Sequence, residues 1–165
     1  MARKSRAVKA STIINSEGRI WNAGIYGRLS AEDGDDAEQN SIGNQKKIGS
    51  RFLADKTDIV LVDTYSDNGY TGMNFERPGF KRMFKDIQSG RINCVIVKDV
   101  SRLGRHFVMT GNFVERIFPE MGVRLICIND GYDSFEPNAD SSALTLPLKM
   151  VMNDYYVKDI SRKIR

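Results

Sequence analysis

The sequence has few of the residues on which metal and thiol chemistry depend. Its 165 residues include one histidine, His106, and two cysteines, Cys94 and Cys127. A zinc site draws on several histidine or cysteine ligands, and a Ser-His-Asp triad needs a histidine at a defined place, so neither is favoured. Both cysteines lie in strand-like apolar segments, which predicts buried free thiols rather than a disulfide or a metal pair.

Long apolar runs and glycine-rich phosphate loops are also missing. No stretch approaches the ~20 apolar residues of a membrane-spanning helix, and the basic start lacks the apolar stretch of a signal peptide. The patterns G-x-x-x-x-G-K-[ST] and G-x-G-x-x-G do not occur, which removes the commonest nucleotide sites of α/β proteins. Since 165 residues suffice for one domain with a real core, we expect a single cytoplasmic globular domain.

The net charge of +4 is concentrated at the start of the chain. Residues 1–20 contain five basic residues and the single acidic Glu17, and the remainder holds equal numbers of basic and acidic residues. We expect residues 1–20 to be a flexible basic leader. Affinity for DNA must then come from local clusters, from this leader, or from parts of the protein outside this sequence.

Strand-like and helix-like segments alternate along the rest of the chain, which predicts an α/β domain with a largely parallel sheet. Ser41 has the position of a helix N-cap, Pro78 opens another helix, and Gly90 and Gly122 end helices. The expected strands are Trp21–Tyr26, Ile59–Tyr65, residues 93–97 and Val123–Asn129, and the expected helices are residues 41–55, 78–89, 107–121 and 141 onward.

Polar side chains follow the ends of three predicted strands. Ligands of open α/β sheets bind outside the carboxyl ends of the strands, so we expect these side chains to share one crevice. A serine hydroxyl beside several guanidiniums suits nucleophilic attack on a phosphodiester, because arginine can hold the non-bridging oxygens and offset the charge of the transition state. The residues concerned are Arg28 and Ser30, Asp67 and Thr71, and Arg102 and Arg105.

Each residue alone is weak evidence. Ser30 by itself is typical of a turn, Arg28 could pair with the acidic loop that follows it, and an R-x-x-R spacing is often a solvated basic turn. The spacing of Arg102 and Arg105 corresponds to one helical turn, which would direct both guanidiniums to one spot.

The ordered combination of motifs is more specific, and it closely resembles the catalytic domain of serine recombinases of the resolvase/invertase family. The likeness is strongest to the large serine recombinases of conjugative transposons and runs from about Ala23 to the C-terminus. The motifs are Tyr26-Gly27-Arg28-Leu29-Ser30, Ser41-Ile42-x-x-Gln45, Tyr65-Ser66-Asp67-Asn68-Gly69-Tyr70-Thr71-Gly72, Arg77-Pro78 and Ser101-Arg102-Leu103-Gly104-Arg105.

This resemblance implies a role for each matching residue. Ser30 would be the nucleophile that forms a 5′-phosphoserine link to double-stranded DNA, in excision or integration of a transposon. Gln45 and Asp67 would complete the site, which in this family needs no metal and no cofactor. The residues implied to bind and activate the scissile phosphate are Arg28, Arg77, Arg102 and Arg105.

The resemblance also implies a domain organisation and an assembly. Residues 21–140 would form a three-layer catalytic domain with a four- to five-stranded, mostly parallel sheet. Residues 141–165 would begin a long helix through which homodimers form and pair into a tetramer, and DNA-binding domains would follow. Alternatively, that helix packs on its own sheet. Its apolar residues that we expect at the interface are Leu144, Leu148, Val151, Tyr155 and Ile160.

Two departures from the family pattern leave roles open. Many small resolvases have an aspartate directly before R-L-G-R, where this chain has Ser101, with Asp99 two positions earlier. Either Asp99 or Asp67 could orient an arginine, and the general acid and base are unassigned. A conserved glutamate of the interface helix has no secure counterpart here.

Two other functions compete with DNA strand transfer. One is a non-catalytic, phosphate-binding oligomerisation module, in which the hydroxyl of Ser30 has no role. The other is a hydrolytic nuclease, which is least favoured because it would need an activated water and the sequence has few metal ligands.

Overall fold

A computed structural model of the chain describes residues 18–29, 41–70, 74–136, 145–149, 160 and 162–164. Five strands form one sheet in the order β2-β1-β3-β4-β5, and only the β4–β5 pair is antiparallel. The predicted mostly parallel α/β sheet is therefore confirmed. The strands are β1, Trp21–Leu29; β2, Ile59–Asn68; β3, Cys94–Val97; β4, Arg124–Cys127; and β5, Tyr132–Asp133.

Helices lie between the strands. Ser41 caps the first helix as predicted, since its hydroxyl accepts from the Asn44 N–H at 3.1 Å. Pro78 opens the second, and Gly90 follows it with a φ of 77°, a left-handed conformation that suits glycine. The helices are α1, Ile42–Ala54; α2, Pro78–Gln88; α3, Val100–Leu103; α4, Phe107–Asn112; and α5, Phe118–Glu120, with a π-helical segment at Phe113–Ile117 between the last two.

Two apolar clusters, one on each face of the sheet, give the domain three layers. On one face, Phe52 and Leu53 of α1 pack against buried residues of β1, β2, β3 and β4. On the other face, α2, α3 and the helices after it cover a larger core that includes Phe80, Phe118 and Leu146. This confirms the expected three-layer arrangement.

Several local predictions differ from the structure. β1 and β2 each run three residues further than expected, because their parallel pairing continues to Arg28↔Asp67 and Leu29↔Asn68. The short elements α3 and β5 were not among the predicted helix and strand ranges. The helix 107–121 is not uniformly α-helical: Phe118 N–H bonds the Phe113 carbonyl across a π turn, which accommodates Pro119 without the clash that its ring makes in a regular helix.

The predicted long C-terminal helix is only partly within the described residues. Residues 145–149 are helical, as are 160, 162 and 163. Leu148 and Ile160 are exposed, as an interface requires, whereas Leu146 is buried in the core, so part of this segment packs on its own domain. Leu144, Val151 and Tyr155 lie outside the described residues. No helix in the described part of the chain is long and apolar enough to cross a membrane.

Candidate active site

The carboxyl ends of β1 and β3 define the place where the strand order reverses, with β2 on one side and β4 on the other. In open α/β sheets this switch point is where ligands bind. Arg28 lies at the end of β1, and α3, which carries Arg102, begins three residues after β3. The fold therefore brings two of the predicted arginines to the switch point, where a ligand is expected.

Most of the predicted site residues that the structure describes are buried polar side chains. Within the described residues, six polar or charged side chains are buried, and five of them were predicted site residues. A buried charge is costly unless it is paired and hydrogen-bonded, so this concentration requires a dense network of partners. The five are Arg28, Gln45, Asp67, Arg77 and Arg102, and the sixth is Thr110.

Gln45 of α1 fixes the backbone at the end of β1. Its Oε1 accepts from the Arg28 N–H at 3.0 Å, and its Nε2 donates to the Arg28 carbonyl at 2.9 Å. The side-chain amide thus bonds both backbone groups of Arg28, as a residue of a neighbouring strand would. Gly27 permits this approach, since a Cβ there would lie 3.2 Å from Gln45 Oε1.

Arg28 and Arg102 tie β1 to α3. Arg102 Nη1 donates to the Arg28 carbonyl at 3.0 Å, and Arg28 Nη2 donates to the Ser101 carbonyl at 2.8 Å. Arg28 Nη1 donates to the Tyr70 carbonyl at 3.1 Å. The two guanidiniums are thus held by backbone carbonyls of three segments.

Arg77 holds α3 from the other side. Its Nη2 donates to the Leu103 carbonyl at 2.6 Å and its Nε to the Asn74 carbonyl at 3.0 Å. Its Nη1 donates to the hydroxyl of Tyr26 at 2.6 Å. Burial lowers the pKa of the Arg77 guanidinium, although contacts with Tyr26 and Asp67 oppose the shift.

Asp67 at the end of β2 caps α2 and receives a third bond from Tyr26. Its two oxygens accept from Gly79 N–H at 2.7 Å and Phe80 N–H at 2.9 Å, where the helix N-terminus favours a carboxylate. Tyr26 donates to Asp67 Oδ2 at 2.8 Å. Gly79 is needed here, because a Cβ would collide with the Ser66 carbonyl oxygen and lie 2.9 Å from Asp67 Oδ2.

Tyr26 is a site residue to which the sequence reasoning assigned no role. Burial raises the pKa of its hydroxyl above the ordinary value, with Arg77 opposing and Asp67 adding to the rise. The neutral hydroxyl therefore bridges a guanidinium and a carboxylate. Its sequence signal is the two-residue spacing from Arg28, which places both side chains on the same face of β1.

The two candidate aspartates contact different parts of the network. Asp99 Oδ2 lies 3.7 Å from Arg102 Nε, and Asp99 Oδ1 accepts a hydrogen bond from the Ser101 hydroxyl. Asp67 is linked to Arg77 through the Tyr26 hydroxyl, which donates to Asp67 and accepts from Arg77. Each carboxylate therefore lies near a different arginine.

Arg105 does not share a helical turn with Arg102. α3 ends at Leu103, and Gly104 is extended, with φ −175° and ψ 157°, so the expected helical spacing of the two arginines is wrong. A Cβ on Gly104 would lie 2.8 Å from the Phe75 ring, which explains why a glycine interrupts the segment. Arg105 follows in a half-buried position. Ser30 and Thr71 lie outside the described residues.

Most of the chain matches one protein family. Residues 23–165 match the family described as resolvase, N terminal domain. The chain belongs to the resolvase family. No curated protein matches its sequence. In the described residues of this resolvase-family chain, no group of three or more His, Cys, Asp or Glu side chains could hold a metal ion.

Solved structures of recombinases share the fold of this resolvase-family chain. A resolvase family site-specific recombinase from Streptococcus pneumoniae is 26% identical with a TM-score of 0.60, and the match covers 87% of this chain and 96% of that one. The N-terminal catalytic domain of TP901-1 integrase is 23% identical with a TM-score of 0.63, covering 87% and 98%. The C-terminal catalytic domain of ISC1926 TnpA, an IS607-like serine recombinase, is 24% identical with a TM-score of 0.51, covering 65% and 70%.

Proposed function

We propose that this chain is the catalytic domain of a serine-type site-specific recombinase that cleaves and rejoins double-stranded DNA. The observation that carries the proposal is the buried network of Arg28, Arg77 and Arg102 at the switch point of a resolvase-family sheet. Three guanidiniums and two carboxylates in this cluster give it an excess of positive charge, which suits a phosphodiester.

In the proposed reaction, the Ser30 hydroxyl attacks the scissile phosphorus. A bond forms between Ser30 Oγ and phosphorus, the bond to the 3′-oxygen breaks, and a proton passes from the serine to the leaving 3′-oxygen. The 5′-phosphoserine conserves the ester bond, so rejoining is the reverse attack by a 3′-hydroxyl. Because the ester bond is conserved, rejoining needs no high-energy cofactor.

The arginines divide into two groups in this proposal. Arg105, just after α3, is half-buried and would contact the phosphate oxygens directly. Arg28 and Arg77 are 0% exposed and Arg102 is 5% exposed, and all three donate to backbone carbonyls, so a phosphate can reach them only after neighbouring segments move. We therefore assign these three first to holding the network together, with direct phosphate contact confined to a rearranged complex.

Assembly and biological role belong to the same proposal. We propose a homodimer that pairs into a tetramer through the C-terminal helix, which the exposure of Leu148 and Ile160 supports. Excision and integration of a transposon would be the physiological reaction. Since the sheet domain is close to neutral, most affinity for DNA would come from the leader or from other domains.

A matched pair of serine variants tests the proposal. The full-length protein is incubated with a DNA fragment that spans the ends of the genetic element carrying its gene, and covalent adducts are separated on a denaturing gel. We expect Ser30→Ala to abolish the adduct and Ser101→Ala to retain it. An undiminished adduct in Ser30→Ala would contradict the assignment of Ser30 as the nucleophile.

The non-catalytic, phosphate-binding module is the second candidate. The engagement of Arg28, Arg77 and Arg102 with backbone carbonyls favours it, because those bonds stabilise the fold whether or not chemistry occurs. It predicts that neither serine variant matters, because even the unsubstituted protein forms no covalent adduct on any DNA that it binds.

A further inference from the structure

A carboxylate from the β4–β5 turn holds the start of α3. Asp130 Oδ2 accepts from the Val100 N–H at 2.7 Å, across thirty residues of sequence. The carboxylate of Asp99, the N-cap residue of α3, turns instead to Ser101 and Arg102. A four-residue helix is too short to be stable by itself, so its position depends on such external bonds.

Lys149 of the C-terminal helical segment 145–149 holds Asp130 in turn. Its Nζ lies 3.5 Å from Asp130 Oδ1 and donates to the Asp130 carbonyl at 3.4 Å. The Asp130 side chain is 13% exposed and the Lys149 side chain 41% exposed, so solvent screens this ion pair in part. Leu146, 1% exposed, anchors the segment in the same core as Val100 and Leu103.

α3 connects the Asp130–Lys149 pair to the arginine site. Its residue Ser101 supplies the carbonyl that accepts from Arg28 Nη2, and its residue Arg102 donates to the Arg28 carbonyl. A path of direct contacts therefore runs from Lys149 to Asp130, to the first turn of α3, and to both guanidiniums.

We propose that Asp130 and Lys149 are positioning residues that couple the C-terminal segment 145–149 to the arginine site. When the segment is docked, Lys149 fixes Asp130, Asp130 fixes the start of α3, and Arg28 and Arg102 are held together. When the segment moves away, the Asp130 carboxylate loses its contact with Lys149, and the start of α3 is held less firmly. The effect on catalysis rests on the proposed function, whereas the effect on α3 does not.

Two readouts on the full-length protein test this coupling. Hydrogen exchange of the 98–104 peptide, measured by mass spectrometry without DNA, reports on α3. The rate of adduct formation at saturating DNA, with the DNA dissociation constant measured separately, reports on positioning. For Asp130→Ala we expect faster exchange of the peptide and a rate about 10- to 100-fold lower, with binding nearly unchanged, since misplacement of reacting groups acts on the chemical step.

Conservative variants separate positioning from general destabilisation. Asp130→Asn keeps an oxygen for the Val100 N–H and should restore most of the protection. Lys149→Arg should retain activity and Lys149→Met should reduce it, with no further loss when Lys149→Met is added to Asp130→Ala. Glu120→Gln, which breaks the exposed Arg116–Glu120 pair, is the matched control and should behave as wild type.

The outcomes distinguish the two proposals. Wild-type exchange of residues 98–104 in Asp130→Ala, or additive effects of the two substitutions, overturns the coupling. If Asp130→Ala does not fold, the Lys149→Met and Lys149→Arg pair decides the same question. An adduct that persists in Ser30→Ala overturns the proposed function alone, because the exchange readout is independent of cleavage.

Discussion

Removing the hydroxyl oxygen of Tyr26 tests the buried hydrogen-bond network directly, because this one atom bonds both Asp67 and Arg77. Tyr26→Phe keeps the ring, which is buried against Phe80 at a centroid distance of 5.9 Å, so no cavity forms. It removes the bond to Asp67 at 2.8 Å and the bond from Arg77 at 2.6 Å. Both partners are charged and buried, so neither can replace the lost bond with water at no cost.

The magnitude follows from these two bonds. Hydrogen bonds to charged groups contribute ~1.5–3 kcal/mol each. Asp67 keeps the Gly79 and Phe80 N–H groups, and Arg77 keeps carbonyl partners, so the lower value applies to each bond. We therefore expect Tyr26→Phe to lower the free energy of unfolding by about 3 kcal/mol. That is a large fraction of the ~5–15 kcal/mol of a typical domain.

Urea titration monitored by tryptophan fluorescence measures this loss. Trp21 is the only tryptophan and is 4% exposed, so its emission reports on unfolding of the sheet. Tyr70→Phe makes the same chemical change at a 42% exposed side chain and should stay within about 0.5 kcal/mol of wild type. A loss below about 1 kcal/mol for Tyr26→Phe, with unchanged denaturant dependence, would refute the account of the buried network.

Two further predictions concern titratable groups away from the site. Hydrogen bonds from Arg91, opposed by partial burial and aided by the Thr64 N–H and Arg82, lower the pKa of Asp63 to about 2. Its stabilising contribution should be complete above the unfolded value near 3.8 and lost as the pH falls toward 2. Asp63→Asn should weaken the fall in stability at low pH, measured as urea midpoints from pH 2 to 7. The effect should be no more than about 1 kcal/mol, because both arginines are half-exposed. The same fall at low pH in the variant would contradict this. Burial raises the pKa of Cys94 to about 12 and that of Cys127 well above its ordinary value. Both thiols should resist iodoacetamide at pH 8 until urea unfolds the chain, and rapid labelling of native protein would count against the core described here.

The order of strands and helices could be predicted from the sequence because its signals are local. The Ser41 cap, Pro78 and Gly90 each fix a helix end through one or two neighbouring residues. The ends of β1 and β2 could not be placed, because their extension depends on pairing between Arg28 and Asp67, which lie far apart in the sequence. The short strand β5 likewise depends on its antiparallel pairing with β4.

That the motif residues lie close together could be predicted from the sequence, but the contacts that they make could not. Five of the residues chosen from motifs are buried together, but their hydrogen bonds run largely to backbone carbonyls that no motif reveals. Tyr26 received no role because a tyrosine in a strand usually contributes to the core. The helical spacing of Arg102 and Arg105 failed because Gly104, packed beside Phe75, makes the backbone extended.

In the proposed reaction Ser30, rather than Ser101 beside the arginine pair, becomes covalently linked to DNA. The most direct measurement traps the full-length protein on DNA, digests both components, and locates the nucleotide-bearing residue by mass spectrometry. The account predicts a 5′-phosphonucleotide on Ser30 and an unmodified Ser101. A nucleotide on Ser101, or a cleaved DNA with no residue modified, would contradict it.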